Sequence, residues 1–239
     1  RLPVGSGPYI LQAWRRGDAL VFSANPGYHR GRPLLESITY RVVTDRQIVL
    51  SQLKIGEVDI VNNIGFDQLD QLRTVTGVNA FITQGTVWEH LDFNLDNPLF
   101  ADVRVRQAVA LSINRPELIE RVLKNAAFPA YTDIHPLSWA YLPLTTPPVR
   151  NLAQARELLT AAGWKPGYDG VMARDGRRLA FSITVPIGEK PREAAAEAIA
   201  LQLREAGMDV RVQRVDGRAF FSDLLPGRRF DAALFAWVN

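Results

Sequence analysis

Residues 179–237 alternate between strand-like and helix-like segments, and this alternation limits the folds open to the chain more than any other feature. Apolar runs typical of strands are separated by a helical pattern over 191–206, closed by Gly207, and by a shorter one over 218–225. Crossovers of this length join parallel strands with right-handed connections. The segment therefore predicts a β-α-β-α-β unit and an α/β fold class, with strands over 179–185, 208–215 and 231–237.

The first 73 residues favour a mixture of strands and short helices. Residues 1–43 predict a hairpin plus a third strand, because apolar runs are separated by turn signals. Asp45 is placed to cap a helix over 46–55 that Gly56 ends. A short strand over 57–63 and a second helix over 66–73 are expected next.

Two helices are predicted to meet at a tight corner near residue 114. Asp102 is a capping candidate, and the spacing of Val105, Ala108, Val109 and Ser112 predicts one buried stripe. Asn114, followed by Pro116 and Glu117, predicts the start of the second helix. Its buried residues are expected to be Leu118, Ile119, Val122 and Leu123. Five prolines make 126–150 an ordered loop, and a helix is expected over 152–162.

Composition excludes several classes of function. The chain has no cysteine, so disulfides, thiolate metal sites and a cysteine nucleophile are ruled out. A net charge of +3 without a basic stripe does not favour nucleic acid as a partner. No apolar run reaches the ~20 residues of a membrane-spanning helix. The sequence starts without Met and stops in an apolar stretch, so an internal fragment of a larger protein is expected.

No enzyme or metal signature is convincing. Ser51 and Lys54 match the S-x-x-K spacing of one hydrolase class, but its supporting motifs are missing, and a solvated helix face explains the pair. The three histidines are far apart in sequence, and neither phosphate-binding glycine motif occurs. We therefore expect no catalytic residues, no metal and no cofactor.

Residues 88–94 carry an unusual row of side chains. Trp88, His90, Asp92 and Asn94 alternate along a predicted strand and so share one face. This face is either exposed to solvent or the wall of a ligand site, where a Trp stacks on the ligand and the carboxylate meets an amine. Trp237, at the end of the last predicted strand, is either a core residue or part of such a site.

Several blocks of the chain are specific enough to compare with known families. They include "LKIGEVDIVNN", "LDFNLDNPLFADVRVRQAVALSINRPELIERVL", "NLAQARELLTAAGW" and "FDAALFAW". These blocks resemble the family 5 extracellular solute-binding proteins, the peptide-, nickel- and opine-type receptors of bacterial ABC importers. The resemblance spans essentially the whole chain, and its most specific block, the second one, has Asn114 where the family usually has Asp.

The resemblance implies a fold and a site. The fold is that of type II periplasmic binding proteins, with mixed sheets, helices on their faces and two partial lobes. Residues 1–83 correspond to part of the first lobe and 84–239 to most of the second. Trp88, His90 and Asp92 match positions facing the inter-lobe cleft, with Asn94 at the end of the block, and Trp237 matches an aromatic residue beside the cleft.

The implied function is a periplasmic or extracellular receptor. It is expected to be a monomer that captures a peptide or similar small solute and delivers it to the membrane permease of an ABC importer. A receptor for nickel or another metal chelate, or one with a sensory role, remains an alternative. A hydrolase is the alternative from a different class.

Overall fold

The chain divides into two compact units in a computed structural model. The structure describes residues 3–62, 64–65, 68–81, 83, 85–136, 138–143 and 148–238. The division falls between Ala80 and Phe81. The family resemblance places the change of lobe between residues 83 and 84, and the assignment of the units to lobes stays a prediction.

The first unit contains a three-stranded antiparallel sheet in the order β1-β2-β3, which confirms the predicted hairpin and third strand. Its strands are β1 (Tyr9–Arg15), β2 (Ala19–Ala24) and β3 (Ser37–Arg41). Helix α1 (Arg46–Lys54) follows, and the Asp45 carboxylate accepts from the backbone N–H of Gln47, as a helix cap should.

One predicted strand in this unit is wrong. Residues 57–62 form no strand, and Asn63 lies outside the described residues. Val58 and Val61 instead pack against a small core of Leu50, Leu53 and Leu72. A strand needs a neighbouring strand to bond its backbone groups, and this segment has none among the described residues. Its alternating apolar side chains pack against helices instead. The described part of the second predicted helix is α2 (Leu69–Arg73).

The second unit is built on a four-stranded sheet in the order β4-β10-β8-β9. The predicted parallel arrangement is confirmed, because β8 pairs in parallel with both β9 and β10. Strand β4 forms the edge and runs antiparallel to β10. The strands are β4 (Val87–Phe93), β8 (Ala180–Pro186), β9 (Asp209–Val215) and β10 (Ala232–Val238). A small antiparallel sheet, which the sequence reading missed, comprises β5 (Lys165–Pro166), β6 (Met172–Arg174) and β7 (Arg177–Arg178).

Helices of the second unit begin at side-chain caps where the sequence predicts them. Asp102 accepts from the N–H of Arg104, and Asn114 accepts from the N–H of Glu117. The helices are α3 (Pro98–Ala101), α4 (Val103–Ser112), α5 (Arg115–Arg121), α6 (Leu152–Ala161), α7 (Lys190–Glu205) and α8 (Gly217–Ala219), and a π-helix (Phe220–Leu224) continues from α8. The described residues of 126–150 form neither helix nor strand, as expected.

The main core lies between the sheet and helices α3, α4, α6 and α7. The predicted α4 stripe, Val105, Ala108, Val109 and Ser112, is buried. Helix α5 differs from its prediction, since Leu118, Ile119, Val122 and Leu123 are only partly buried. Of these four, only Leu118 packs against the main core. The helix is short and lies at the rim, where one face cannot be fully covered.

Gly207 is fixed by a close backbone approach. It ends α7 at a φ of +90°, and a Cβ there would lie 3.0 Å from both the carbonyl oxygen of Gly170 and Cγ of Met172. We expect Gly207→Ala to lower the free energy of unfolding by about 2–4 kcal/mol, from left-handed strain plus the clash. Chemical denaturation of the complete protein containing this chain measures the loss.

The matched control is Gly176→Ala in the turn between β6 and β7. Gly176 has a φ of +75°, but its added Cβ would meet nothing within 4 Å. It should cost only the strain of about 1–2 kcal/mol. Equal losses in the two variants would show that the contact with Gly170 contributes nothing.

Candidate functional site

Strand β4 turns one face toward the main core, and the row of predicted site residues lies on its other face. Leu91 and Phe93 pack against the main core. Trp88, His90 and Asp92 alternate with them and point the other way, as the sequence predicts.

Pairing with β10 brings Trp237 to the same face. Trp88 lies opposite Trp237, and His90 lies opposite Phe235. Cross-strand partners share a face, so the two tryptophans lie side by side although they are 149 positions apart in the sequence. Trp237 is 47% exposed, so it is not a core residue of the described chain.

His90 is held in a closed aromatic environment. Its ring stacks on Trp88 with centroids 4.4 Å apart and contacts Phe235 at the same distance. Its Nδ1 lies 2.8 Å from the carbonyl oxygen of Phe235. Burial lowers the pKa of His90 below its ordinary value of 6.5, and the charge of Arg192 lowers it further, while Asp92 and Glu89 act in the opposite direction.

Two further aromatic rings that pack against Phe235 were missed by the sequence reading. Phe220 and Phe235 are fully buried with ring centroids 5.4 Å apart, and Phe221 contacts both rings. The signal was available in the Phe220-Phe221 pair, but its position beneath β10 depends on how the chain folds back after α8.

Asp92 is the accessible charged group of the row. Its side chain is 44% exposed, and Oδ1 lies 3.7 Å from Nε2 of His90. Among the described residues no side chain or backbone group donates a hydrogen bond to this carboxylate. An exposed carboxylate on the same sheet face as two tryptophans can bind a cation by its charge, and the rings offer aromatic faces to other parts of a ligand.

Asn94 is already engaged within the protein. Its amide nitrogen donates to the carbonyl oxygens of Arg228 and Phe230, each at 2.9 Å, and its Oδ1 accepts from the N–H of Asp96. Both amide hydrogens are therefore used to hold loops together, and a role for Asn94 in ligand binding stays a prediction.

Glu89 anchors the other side of β4. It receives a two-point contact from Arg192 of α7, with nitrogen–oxygen distances of 2.9 and 2.7 Å. The contact raises the pKa of Arg192. It fixes the edge strand that carries the row, and it commits Glu89 to a partner inside the protein.

Two open concavities lie elsewhere in the second unit. One, of about 650 Å³, is lined mainly by the 166–172 and 204–209 segments. The other, of about 570 Å³, is lined by 113–116, Tyr131 and 148–152. Neither is lined by a residue of the β4 row.

Other kinds of site find little support in the described part of the chain. It contains no group of three or more side chains suited to hold a metal ion. The Ser51 hydroxyl donates to the carbonyl oxygen of Gln47 one helical turn earlier, an ordinary helix contact. No helix among the described residues is long and apolar enough to cross a bilayer.

Comparison with known proteins decides the family. The model of the bacterial extracellular solute-binding proteins, family 5 (middle region), matches residues 1–239. The chain belongs to this family. The resemblance stated from the sequence blocks is thereby confirmed.

Two curated relatives of this family 5 chain are named for the ligands that they bind. It is 31% identical over 244 residues to the oligopeptide-binding protein AppA of Bacillus subtilis, covering 98% of the chain and 44% of AppA. It is 32% identical over 167 residues to the glutathione-binding protein GsiB of Escherichia coli, covering 70% of the chain and 32% of GsiB. The chain thus spans less than half the length of either.

Solved structures confirm the predicted family 5 fold. AppA of B. subtilis in complex with a nonapeptide superimposes with a TM-score of 0.76 and 29% identity, covering 98% of this chain and 47% of AppA. NikZ of Campylobacter jejuni in complex with Ni(L-His) gives a TM-score of 0.81 and 26% identity, covering 99% and 47%. The α/β architecture with helices on mixed sheets is the one expected.

Proposed function

We propose that the protein containing this chain is the substrate-binding receptor of an ABC importer and that it captures a peptide-like small solute. The face of β4 with Trp88, Asp92 and Trp237 forms one wall of its binding site. The receptor works outside the cytoplasmic membrane and reaches that membrane by docking on the importer's permease. Binding and delivery, without chemical conversion of the solute, are its activity.

The observation that carries this proposal is that one sheet face presents two tryptophans and a carboxylate to which no described residue donates a hydrogen bond. Asp92 and Trp237 are each nearly half exposed, while the residues behind them are buried. A peptide offers a cationic amine for the carboxylate and apolar side chains for the rings. The oligopeptide-binding and glutathione-binding relatives make a peptide the best-supported ligand class.

Calorimetry on the complete protein with a mixture of synthetic nonapeptides tests the proposal. Asp92→Asn keeps the shape of the side chain and removes its charge, so the Kd should rise by about tenfold or more. Trp237→Ala should raise it by a similar factor through lost stacking. Under the proposal, circular dichroism spectra of both variants match that of the wild type.

Two surface substitutions serve as controls. Asp133→Asn changes an exposed aspartate that is not part of the row, and Trp139→Ala changes a tryptophan that is 98% exposed. Both should leave the Kd unchanged. If the Asp92 and Trp237 variants bound peptide as tightly as these controls, the β4 face would not be part of the site.

A metal chelate is the second candidate ligand. It is favoured by the similarity to NikZ, which was solved with Ni(L-His). The described residues offer no metal-binding group of their own, so the metal would have to arrive with its organic ligands attached. Titrating Ni(L-His) and peptide in competition distinguishes the two, because only the true ligand displaces the other at stoichiometric concentration.

A further inference from the structure

The tautomer of His90 follows from its contact with the backbone. A carbonyl oxygen can only accept, so the 2.8 Å contact with Phe235 requires the hydrogen on Nδ1. In the neutral ring Nε2 then carries a lone pair. The side chain is 8% exposed, and Nε2 is buried with no hydrogen-bond partner among the described residues.

A second acceptor lies close to this nitrogen. Oδ1 of Asp92 lies 3.7 Å from Nε2. Two acceptors facing each other across this gap gain nothing, whereas one added proton turns the pair into a charged hydrogen bond. The gap is longer than a hydrogen bond, so the protonated pair would form by a small rotation of the more exposed Asp92 side chain.

We propose that His90 is a positioning residue for Asp92. With a neutral ring the carboxylate is free to meet a cationic group of the ligand, and with a protonated ring it turns inward and is neutralised. Acidification therefore weakens ligand binding. This inference rests on the proposed function, since it assumes that Asp92 faces the ligand.

The other charged groups around the ring do not compete for this role. Glu89 is held by Arg192 in a two-point contact on the far side of β4. From β10 the ring is faced by Phe235 and Trp237, which carry no charge. Asp92 is thus the carboxylate that can pair with the protonated ring. Burial of the ring lowers the pKa of His90, so its protonation falls below pH 6.5.

Linkage fixes the sign of the effect. Because burial lowers the pKa of His90 in the folded protein, the neutral form dominates at pH 7 and the protonated form gains as the pH falls through the lowered pKa. Below that pKa the Kd for a cationic ligand should rise by up to about tenfold per pH unit. A bound cation beside Asp92 lowers the same pKa further, so ligand binding should release protons in this range.

Nuclear magnetic resonance on the complete protein tests the ring without any ligand. Long-range nitrogen–proton spectra, with His90 assigned through His90→Asn, should show the hydrogen on Nδ1 at pH 7 and protonation only below pH 6.5. A neutral ring with its hydrogen on Nε2 would overturn the inference, whatever the ligand is.

Peptide affinity provides the second readout. His90→Asn can still donate to the Phe235 carbonyl but cannot be protonated, so its Kd for the nonapeptide mixture should not change with His90 protonation. The Kd of the wild type should rise at least fivefold once the pH lies one unit below the pKa that the spectra give for His90. His29→Asn, at an exposed histidine, should keep the wild-type profile. Equal profiles for wild type and His90→Asn contradict the positioning role. Absence of binding in every protein at every pH contradicts the proposed function instead, and the spectra still judge the tautomer.

Discussion

Replacing Phe100 by alanine should lower the free energy of unfolding by about 3–5 kcal/mol. Phe100 of α3 is fully buried in the main core. Its ring lies 4.8 Å from that of Phe93 and meets Phe181 edge to face at 5.1 Å. Truncation removes the apolar contacts and leaves a cavity that three separate elements would have to move to fill.

Chemical denaturation of the complete protein measures this loss, and hydrogen exchange of the β8 amides assigns it to the second unit. Phe128→Ala makes the same chemical change at a side chain that is 67% exposed, and it should shift the stability by less than about 0.5 kcal/mol. Phe100→Leu retains most of the volume and should cost under about 1.5 kcal/mol. If Phe100→Ala cost no more than Phe128→Ala, the α3 contact would not belong to the core.

Phe100 also links stability to the candidate site. Phe93, which it contacts, is the last residue of β4 and lies one position after Asp92. A gap behind Phe93 should loosen the edge strand, so the amides of β4 should exchange faster even where the chain stays folded. Faster exchange in β4 than in β9 would locate the weakness at this end of the sheet.

Features that depend on a few neighbouring residues were predictable from the sequence. Asp102 and Asn114 cap their helices because each side chain reaches a backbone N–H two or three positions ahead. The stripe on α4 is buried because a 3.6-residue period fixes one face whatever that face meets. The parallel strands follow from crossover lengths, which are likewise properties of continuous segments.

Features that depend on distant partners were not predictable in the same way. Alternation places Trp88, His90 and Asp92 on one face but does not say how deeply each is buried. The pairing with β10, which sets Phe235 and Trp237 against the His90 ring, buries His90 while Asp92 stays exposed. The segment over 57–62 shows the same limit. Its pattern suits a strand, but within the described ranges of the chain it pairs with no strand.

Asp231 is the clearest residue that the sequence reading passed over. One carboxylate oxygen accepts from both the backbone N–H and the hydroxyl of Ser182, each at 2.9 Å, and the other accepts from the amide of Asn97 at 2.9 Å. Its own carbonyl oxygen accepts from the N–H of Asn94. A single aspartate before β10 therefore ties β8 to the loop that follows β4 and to the cap of α3.

Asp231→Ala should accordingly lower the free energy of unfolding by about 2–4 kcal/mol. The reason is that three donors lose a charged acceptor at once and the half-buried Ser182 amide is left without a replacement. Asp231→Asn keeps one oxygen and should cost about half as much, and Asp133→Ala, at an exposed aspartate, should cost almost nothing.

A double-mutant cycle in denaturation experiments separates these contacts. Ser182→Ala removes only the hydroxyl donor, so its cost should shrink in the Asp231→Ala background by about 1 kcal/mol. If the two substitutions were strictly additive, the contact between the Ser182 hydroxyl and Asp231 would contribute nothing to stability. Because the Asn97 amide loses its carboxylate acceptor in Asp231→Ala, the amides of the loop after β4 should also exchange faster, although Asn94 keeps its bond to the backbone carbonyl of residue 231. The stability of the sheet and the geometry of the candidate site would then both depend on Asp231, a residue that touches no ligand.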